Sequence, residues 1–332
     1  MENNEIVYEY KPFLRVYKDG RKERILVKKC IPPSMEDPKT GVSSKDVIIT
    51  PEVGVSSRIY LPKFTKQQKQ INKRFPLLLY FHGGAFCVHS PSSPLYHNYI
   101  SSLVAEANVV VLSVGFRLVP EHHLPVAYDD SWEAIVWVLS HSTGHGSESW
   151  LNNYVDFNRV FMGGDSAGAN ISHNMAMRLA GTHHQMQVSL IGFQFYGVVL
   201  IHPYFWDEKP IGSEEKDMYK KIKMDKLWPN ICPSSTGYDD LLINPYKDPN
   251  LSSLGCKKVL VCVAEKDLFR DRGWLYFETL RNSEWNGVVE IVESQGEDHV
   301  FHLLKPDSEK AMKMKESVIS FLNHQQQIPS RI

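Results

Sequence analysis

A strand, a sharp turn and a helix follow one another without a spacer in the middle of the chain, and this arrangement constrains the fold most. The apolar run RVFMG leads into GDSAG (164–168), a G-x-S-x-G pattern, after which Ile171, Met175 and Leu179 recur every four residues. Side chains at the glycines would clash in so tight a turn, and the serine backbone would be strained with its hydroxyl exposed. A glycine-rich helix cap, in which Ser166 bonds a backbone N–H, is the alternative interpretation.

Elsewhere, short runs rich in β-branched and aromatic residues alternate with helix-length segments, as in a parallel sheet built from β-α units. Segment 46–62 predicts two further antiparallel strands at one edge, around a Pro/Gly turn. Two stretches depart from this rhythm, 1–45 and 204–245, and we expect them to form a cap over the carboxyl edge of the strands. We therefore predict an α/β fold with a mostly parallel central sheet, in which 1–332 is a single domain. The six central strands are predicted at 75–82, 108–116, 159–165, 189–197, 257–265 and 288–294.

Composition argues against several classes of function. Lys and Arg number 37 against 38 Asp and Glu, with a net charge of -1, so the chain lacks the basic excess of a nucleic-acid-binding protein. Its longest nearly apolar run, 190–201, is shorter than the ~20 residues that cross a bilayer. The amino-terminal residues do not resemble a secretory signal. These features predict a cytoplasmic protein, although the final SRI loosely resembles the peroxisomal address S-K-L.

Residue types that bind metals are dispersed. The five cysteines contain no C-x-x-C, which predicts free, buried or idle thiols in place of disulfides or a zinc site. The histidine pairs at 122–123 and 183–184, and His141 with His145, have no carboxylate or cysteine at ligand spacing and are interpreted as surface histidines. His173 lies off the apolar stripe of its helix and is interpreted as a surface or helix-packing residue. We expect neither a metal nor an organic cofactor.

A second motif, YFHGGAF, follows the first central strand. Its glycines allow backbone N–H groups to approach an oxyanion that forms when a carbonyl is attacked, and the N–H of the residue after the serine would join them. An ordinary strand-to-helix turn is the alternative for such a loop on its own. Because the loop lies two strands before the G-x-S-x-G turn, we predict an oxyanion hole formed by Gly83, Gly84 and Ala167.

Two later strands end in a candidate acid and a candidate base. Asp267 and Asp271 follow one strand, and His299 and His302 follow the last, at the edge where α/β sheets collect functional groups. Asp267 lies in the loop, whereas Asp271 enters the next helix; His299 follows a glycine-containing turn, whereas His302 lies within the apolar VFHLL. We therefore favour Asp267 and His299 as the partners of Ser166, in the chain order serine, acid, histidine.

Together, the motifs resemble the hormone-sensitive-lipase-like branch of the α/β hydrolases, and within it the plant carboxylesterases. The matching segments are FLRVYKDGRKERI, YFHGGAF, FRLVPEHHLPVAYDDSWEAIVWV, GGDSAGANISHN, HPYFW, AEKDLFRDRG and EDHVFHLL. The chain departs from the family where Ala85 replaces the third glycine of H-G-G-G, and where D-L-F-R-D replaces D-P-L-x-D. The resemblance implies the α/β-hydrolase fold with Ser166 as nucleophile, Asp267 and His299 as its partners, and Gly83, Gly84 and Ala167 as oxyanion donors.

The resemblance implies a serine carboxylesterase that acts on a small-molecule ester in plant specialised metabolism. The family also holds 2-hydroxyisoflavanone dehydratases, typically with threonine at the nucleophile position, and alkaloid-forming members that cyclise intermediates or cleave a methyl ester with decarboxylation. It further includes the gibberellin receptor, which has lost the catalytic histidine. Ser166 argues against the dehydratase and His299 against the receptor. The acyl group, the alcohol group and the oligomeric state are left open by the sequence.

Overall fold

The structure is a computed structural model that describes residues 5–26, 29–65, 73–182 and 195–323. A small antiparallel sheet of three strands comes first, in the order β1-β2-β3, and an eight-stranded sheet follows it. The strands are β1 (Ile6–Tyr10), β2 (Leu14–Tyr17), β3 (Lys22–Arg24), β4 (Ser43–Thr50), β5 (Val55–Leu61), β6 (Phe75–Phe81), β7 (Val110–Val114), β8 (Val155–Asp165), β9 (Phe195–Ile201), β10 (Lys258–Ala264) and β11 (Val288–Ser294).

The large sheet has the order β11-β10-β9-β8-β6-β7-β5-β4. The six strands β11, β10, β9, β8, β6 and β7 pair in parallel with one another in this order. Strand β5 pairs antiparallel with both β7 and β4. The predicted mostly parallel sheet with an antiparallel edge from 46–62 is therefore confirmed. Alternate residues of β6 enter two separate cores, with Leu77 and Leu79 on one face and Leu78 and Tyr80 on the other, which explains its uninterrupted apolar sequence.

Helices cover both faces of this sheet. Buried residues of α1 and α9, such as Leu103 and Val318, pack in one core, and those of α2 and α4, such as Ile135 and Ile171, pack in the other. The helices of the described chain are α1 (Pro94–Ala107), α2 (Val126–Leu139), α3 (Ser149–Tyr154), α4 (Ala167–Thr182), α5 (Met218–Asp225), α6 (Leu227–Ile231), α7 (Arg270–Asn282), α8 (Phe301–Leu304) and α9 (Glu309–Asn323).

Two details differ from the sequence-based expectations. The strand predicted at 189–197 runs on to Ile201; residues 189–194 of the prediction lie outside the described residues, which resume at Phe195. The interpretation of His141 as a surface residue is wrong, since it is fully buried. Its Nδ1–H donates to the Trp137 carbonyl at 2.7 Å and its Nε2 accepts the Glu148 N–H at 2.9 Å, so it joins α2 to the loop before α3.

The remaining histidines and the cysteines agree with expectation where the structure describes them. His173 is buried, and its ring nitrogen lies 3.1 Å from the hydroxyl of Tyr276, which is the helix-packing alternative. His122 and His145 are exposed and His123 is half-buried, whereas 183–184 lies outside the described residues. All five cysteines are free; Cys30 is exposed and the other four are buried.

Segment 204–245 contains a 3-10 turn (Gly212–Lys216), α5 and α6. Both tryptophans of the segment, Trp206 and Trp228, are fully buried, whereas Tyr219 is 80% exposed. A buried ion pair attaches the segment to α7, with Arg272 Nε 2.7 Å from Glu214 Oε1 and Nη2 2.7 Å from Oε2. Across the described ranges, no helix combines the length and apolar character needed to cross a membrane.

Candidate active site

The G-x-S-x-G motif forms the turn between β8 and α4. Ser166 has φ 52°, a left-handed conformation that is strained for a residue with a side chain. Its N–H donates to the Ile201 carbonyl at 2.8 Å. A Cβ atom at either Gly164 or Gly168 would overlap the Phe81 carbonyl oxygen, so both positions require glycine because two strand ends and a helix start meet there.

Three side chains from different strand ends meet at this turn. The Oγ of Ser166 lies 3.0 Å from Nε2 of His299, and Nδ1 of His299 lies 2.7 Å from Oδ2 of Asp267. The other carboxylate oxygen of Asp267 accepts the Phe269 N–H at 3.0 Å, which fixes the plane of the carboxylate. The side chain of Asp267 is 2% exposed and that of His299 is 29% exposed, so the histidine faces the open side of the site.

Neither alternative acid nor alternative base joins this group. Asp271 accepts the Ser213 N–H at 2.6 Å and pairs with Arg270 Nη1 at 2.8 Å, so its carboxylate holds the 3-10 turn of segment 204–245. His302 is buried within the core, with its ring 5.0 Å from that of Tyr99.

The surroundings of His299 stabilise the protonated form of its ring. Burial lowers its pKa, but the charge of Asp267 and the hydrogen bond to it outweigh burial, so that the pKa is raised above 6.5. The ring of Phe269 lies 5.1 Å from the imidazole and covers one side of it. The three side chains can therefore move a proton from Ser166 to His299 and stabilise the resulting imidazolium.

The YFHGGAF loop differs in one respect from expectation. The N–H of Gly83 donates to the hydroxyl of Tyr96 at 2.9 Å and to Oδ1 of Asp165 at 3.3 Å, in a buried setting. Gly83 is therefore not free to donate to a ligand in this structure, which corrects its assignment as an oxyanion donor. The cause is Asp165, the second residue of GDSAG, whose carboxylate also accepts from the hydroxyls of Tyr80 and Tyr96 at 2.9 Å each.

The next two N–H groups of the loop are available. Among the described residues, no acceptor is paired with the N–H of Gly84 or of Ala85. Ala85 has φ 54° and Gly84 has φ 102°, so Ala85 adopts the left-handed conformation that the third glycine of H-G-G-G would adopt without strain. Ala167 is the first residue of α4, where a helix leaves its N–H groups without intrahelical partners.

Sequence reasoning assigned no role to His202 or Tyr204, although their segment, HPYFW, was among those that match the family. Tyr204 donates its N–H to the carbonyl of Ser166 at 3.1 Å, and its ring lies 5.3 Å from that of Phe269. His202, the first residue after β9, lies close behind Asp267 and His299. The signal that identified Asp267 and His299, a polar side chain just past the end of a central strand, also applies to His202 and would have found it.

In the described part of the chain, one group has the side-chain spacing of a metal site: a ring nitrogen of His202, a ring nitrogen of His299 and a carboxylate oxygen of Asp267 lie within 4.8 Å of one another. However, Nδ1 of His202 accepts the N–H of Val300 at 3.0 Å, so the neutral ring carries its proton on Nε2. With one nitrogen accepting a hydrogen bond and the other protonated, His202 has no lone pair left for a metal.

A family model described as the alpha/beta hydrolase fold matches residues 78–303. The protein named probable carboxylesterase 2 from Arabidopsis thaliana is 45% identical over 321 residues, covering 96% of this chain and 97% of that protein. A 2-hydroxyisoflavanone dehydratase from Glycyrrhiza echinata is 42% identical over 327 residues, with 96% and 97% covered. A solved structure, the hyperthermophilic esterase from Pyrobaculum calidifontis, has a TM-score of 0.65 at 26% identity and covers 84% of each chain. With matches of this extent to the sheet and to the motifs around Ser166, the chain belongs to the α/β-hydrolase fold family, in the branch that contains the plant carboxylesterases.

Proposed function

We propose that the chain is a serine carboxylesterase that cleaves small carboxylic esters through an acyl-enzyme on Ser166. One observation carries this proposal: Oγ of Ser166 lies 3.0 Å from His299 Nε2 while Asp267 Oδ2 lies 2.7 Å from His299 Nδ1. These are the hydrogen-bond distances that an activated nucleophile and an oriented base require. The relatives named carboxylesterases support the same activity.

In the proposed reaction, His299 takes the hydroxyl proton as Ser166 attacks the ester carbonyl. Asp267 stabilises the imidazolium, which then protonates the leaving alcohol. Water, activated by the same histidine, releases the acid from the acyl-enzyme. His299 carries out all the proton transfers while Asp267 stays ionised, so the reaction requires neither a metal nor an organic cofactor.

For the oxyanion hole, we propose the N–H groups of Gly84, Ala85 and Ala167. Support comes from the two unpaired loop N–H groups and from the position of Ala167 at the start of α4. The role of Gly83 in this proposal is indirect, since its bonds to Tyr96 and Asp165 hold the loop from below.

Turnover of p-nitrophenyl acetate and butyrate by the wild type and by Ser166→Ala tests the function. We expect the variant to lose on the order of 10⁴-fold or more in kcat, because the nucleophile of a triad cannot be replaced by its partners. Asp267→Asn should fall by ~10⁴-fold, whereas Asp271→Asn should retain most of its activity, because Asp271 binds the 3-10 turn of segment 204–245 and does not contact His299. Equal, background-level rates for the wild type and Ser166→Ala would exclude these esters as substrates.

A dehydratase is the second candidate because relatives at 42 to 43% identity carry that name. An alkaloid-forming reaction, by cyclisation or by methyl-ester cleavage with decarboxylation, would use the same three side chains. Products from plant extracts separate these functions by mass. An esterase gives an acid and an alcohol whose masses add up to the substrate plus one water, a dehydratase gives a product lighter by one water, and a cyclase leaves the mass unchanged. Gibberellin binding without hydrolysis would indicate a receptor.

We also propose that 1–45 and 204–245 together form a cap over the site. Lys22 in β3 donates to the Asn230 carbonyl at 3.1 Å, which joins the two segments. A Lys22→Ala variant should change the preference among esters of different acyl length, with Lys18→Ala, in the exposed turn between β2 and β3, as the control. The cytoplasmic location stays a prediction from the sequence, since the terminal SRI lies outside the described residues.

A further inference from the structure

A buried histidine that the proposed mechanism does not use lies directly behind the triad. His202 is fully buried, and its ring centroid is 5.7 Å from that of His299. One of its ring nitrogens is within 4.8 Å of a carboxylate oxygen of Asp267. A buried imidazole so close to the reacting groups needs a physical explanation, because burying a polar ring has a free-energy cost unless its nitrogens are used.

The protonation state of His202 follows from its contacts. The Val300 N–H donates to Nδ1 at 3.0 Å, so Nδ1 must be unprotonated. Burial lowers the pKa of the ring well below 6.5; nearby His302 and His299 lower it further, and Asp267 opposes them without reversing the shift. His202 is therefore neutral, with its proton on Nε2, and presents a permanent acceptor to Val300.

Val300 needs that acceptor because its backbone is strained. It has φ 48°, and a β-branched residue in this left-handed region is a conformational outlier. Val300 immediately follows His299 and precedes α8, so its dihedral angles determine where the imidazole points. Without the hydrogen bond to His202, the turn would lose the contact that holds the partly buried N–H of Val300.

The segment that carries His202 also holds the nucleophile. The Ser166 N–H donates to the carbonyl of Ile201 at 2.8 Å, and the Tyr204 N–H donates to the carbonyl of Ser166 at 3.1 Å. The N–H of His202 itself donates to the Cys262 carbonyl in β10 at 2.8 Å. One four-residue segment, 201–204, thus contacts both the turn of the nucleophile and the turn of the base.

We propose that His202 is a positioning residue of the triad: it accepts the Val300 N–H through Nδ1 and so fixes His299 between Ser166 and Asp267. The inference rests on the proposed function of Ser166. His202 acts through His299 and does not touch the substrate.

Two substitutions at His202 and one at His302 test the inference. His202→Leu removes the acceptor at similar volume, whereas His202→Asn restores an oxygen at the position of Nδ1. His302→Leu is the matched control, because His302 is equally buried and contacts His202, but has no hydrogen-bond partner for either nitrogen among the described residues. The measurements are kcat, KM and the pH dependence of kcat/KM with p-nitrophenyl butyrate.

We expect His202→Leu to lower kcat by about 10- to 100-fold with KM little changed, since a small misplacement of a catalytic group has an effect of this size. The acid limb of its pH profile should move down toward 6.5, because a displaced His299 loses part of its interaction with Asp267. His202→Asn should recover most of kcat and the acid limb, and His302→Leu should match the wild type. A merely structural role would lower the melting temperature without moving the acid limb.

Wild-type kcat and an unmoved acid limb in folded His202→Leu would overturn the inference. If His202→Leu fails to fold, the comparison of His202→Asn with His202→Gln tests the inference, because glutamine places its acceptor oxygen one bond further from the backbone. Equal activity of these two variants would also overturn the inference. Ser166→Ala measured alongside keeps the two proposals apart. Wild-type turnover by Ser166→Ala would reject the esterase itself, whereas loss in Ser166→Ala with retention in His202→Leu rejects only the role of His202.

Discussion

At the scale of single residues, backbone strain is concentrated around the proposed reacting groups. Seven non-glycine residues of the described chain have positive φ; one is Ser166 itself, and four others lie in segments next to Ser166 or His299. Such conformations persist only where the surrounding structure enforces them, and here hydrogen bonds and buried neighbours do so. These enforced conformations fix the positions of the hydroxyl, the imidazole and the loop N–H groups before any substrate binds. The five residues are Ala85, Phe86, Ser166, His202 and Val300.

The pH dependence of activity should report His299. Its pKa is raised above 6.5 because Asp267 outweighs burial, and only the neutral ring can accept the Ser166 proton. We expect kcat/KM to fall as the pH drops through an apparent pKa above 6.5. In Asp267→Asn the residual activity should show an acid limb at lower pH, because the largest charge that opposes burial is then removed, and only the weaker effects of Asp165 and Asp298 remain. An unchanged limb in that variant would mean that another group controls the profile.

Asp165 should make stability depend on pH in the opposite direction from most carboxylates. Burial raises its pKa to about 6, although hydrogen bonds from Tyr96 and Tyr80 oppose the shift. Because the pKa is higher in the folded chain than in the unfolded chain, the protonated carboxyl favours folding. The contribution, up to about 3 kcal/mol, is complete below about pH 4 and is lost as the pH rises through about 6.

Urea unfolding of wild type and Asp165→Asn between pH 4 and 7 measures this contribution. The free energy of unfolding of the variant should rise relative to the wild type as the pH increases, since the amide does not ionise. Asp271→Asn serves as the control with a partly exposed carboxylate. Parallel curves for wild type and Asp165→Asn would show that Asp165 does not titrate in this range.

At the scale of secondary-structure elements, the β8–turn–α4 unit depends on how closely its backbone approaches β6. A methyl group at Gly168 would overlap the carbonyl oxygen of Phe81, whereas Gly181 in the same helix has open space around it. We expect Gly168→Ala to lower kcat at least ~10-fold and the free energy of unfolding by about 1–3 kcal/mol. Gly181→Ala should be neutral or stabilising by up to ~1 kcal/mol. Chemical denaturation and ester turnover check both variants.

Elements with strong local signals could be predicted from the sequence. The apolar runs located β6, β10 and the second half of β8, because strands buried on both faces need continuous apolar sequence. The edge strand β11 is partly exposed and was located by its β-branched residues. Both candidate acids and both candidate bases follow a strand end; a loop position favoured Asp267 over Asp271, and a glycine-containing turn favoured His299 over His302. The end of β9 lies at Ile201 and not at the predicted residue 197, because the apolar run 190–201 continues past residue 197.

Contacts between distant parts of the chain could not be predicted. Nothing near Gly83 in the sequence reveals that Asp165, 82 positions later, accepts its N–H. His141 was misread for a similar reason, since its partners are a helix carbonyl and the N–H of Glu148 and neither leaves a pattern in the sequence. The periodicity of one element shows which side of it is buried, but not which polar group of another element it meets.

At the scale of the whole molecule, segment 204–245 is fastened to the sheet core by charge as well as by apolar contact. The Arg272–Glu214 pair has side chains that are 1% and 0% exposed, and Arg272 also donates to the Tyr246 hydroxyl. Removing one partner leaves the other charge buried without compensation, and changes of this type cost about 3–5 kcal/mol. The pair therefore couples the position of this segment to α7, which begins just after Asp267.

Glu214→Gln should lower the free energy of unfolding by about 3 kcal/mol and increase cleavage within 204–245 during limited proteolysis. Glu36→Gln is the matched control, since Glu36 pairs with Lys63 where both side chains are more than two-thirds exposed, and pairs of this kind contribute about 0–1 kcal/mol. If both substitutions change stability equally, the buried pair does not fasten the segment.

The distribution of thiols allows the amino-terminal segment to be labelled selectively. Burial raises the pKa of Cys87, Cys256 and Cys262 to about 12 and also raises that of Cys232, so these thiols are protonated and inaccessible at neutral pH. Cys30 is exposed and lies next to Ile31, whose N–H donates to the Ser92 carbonyl at 2.8 Å. A maleimide fluorophore added to the unmodified chain should attach at this single position, giving a spectroscopic reporter on the amino-terminal segment without any engineered cysteine.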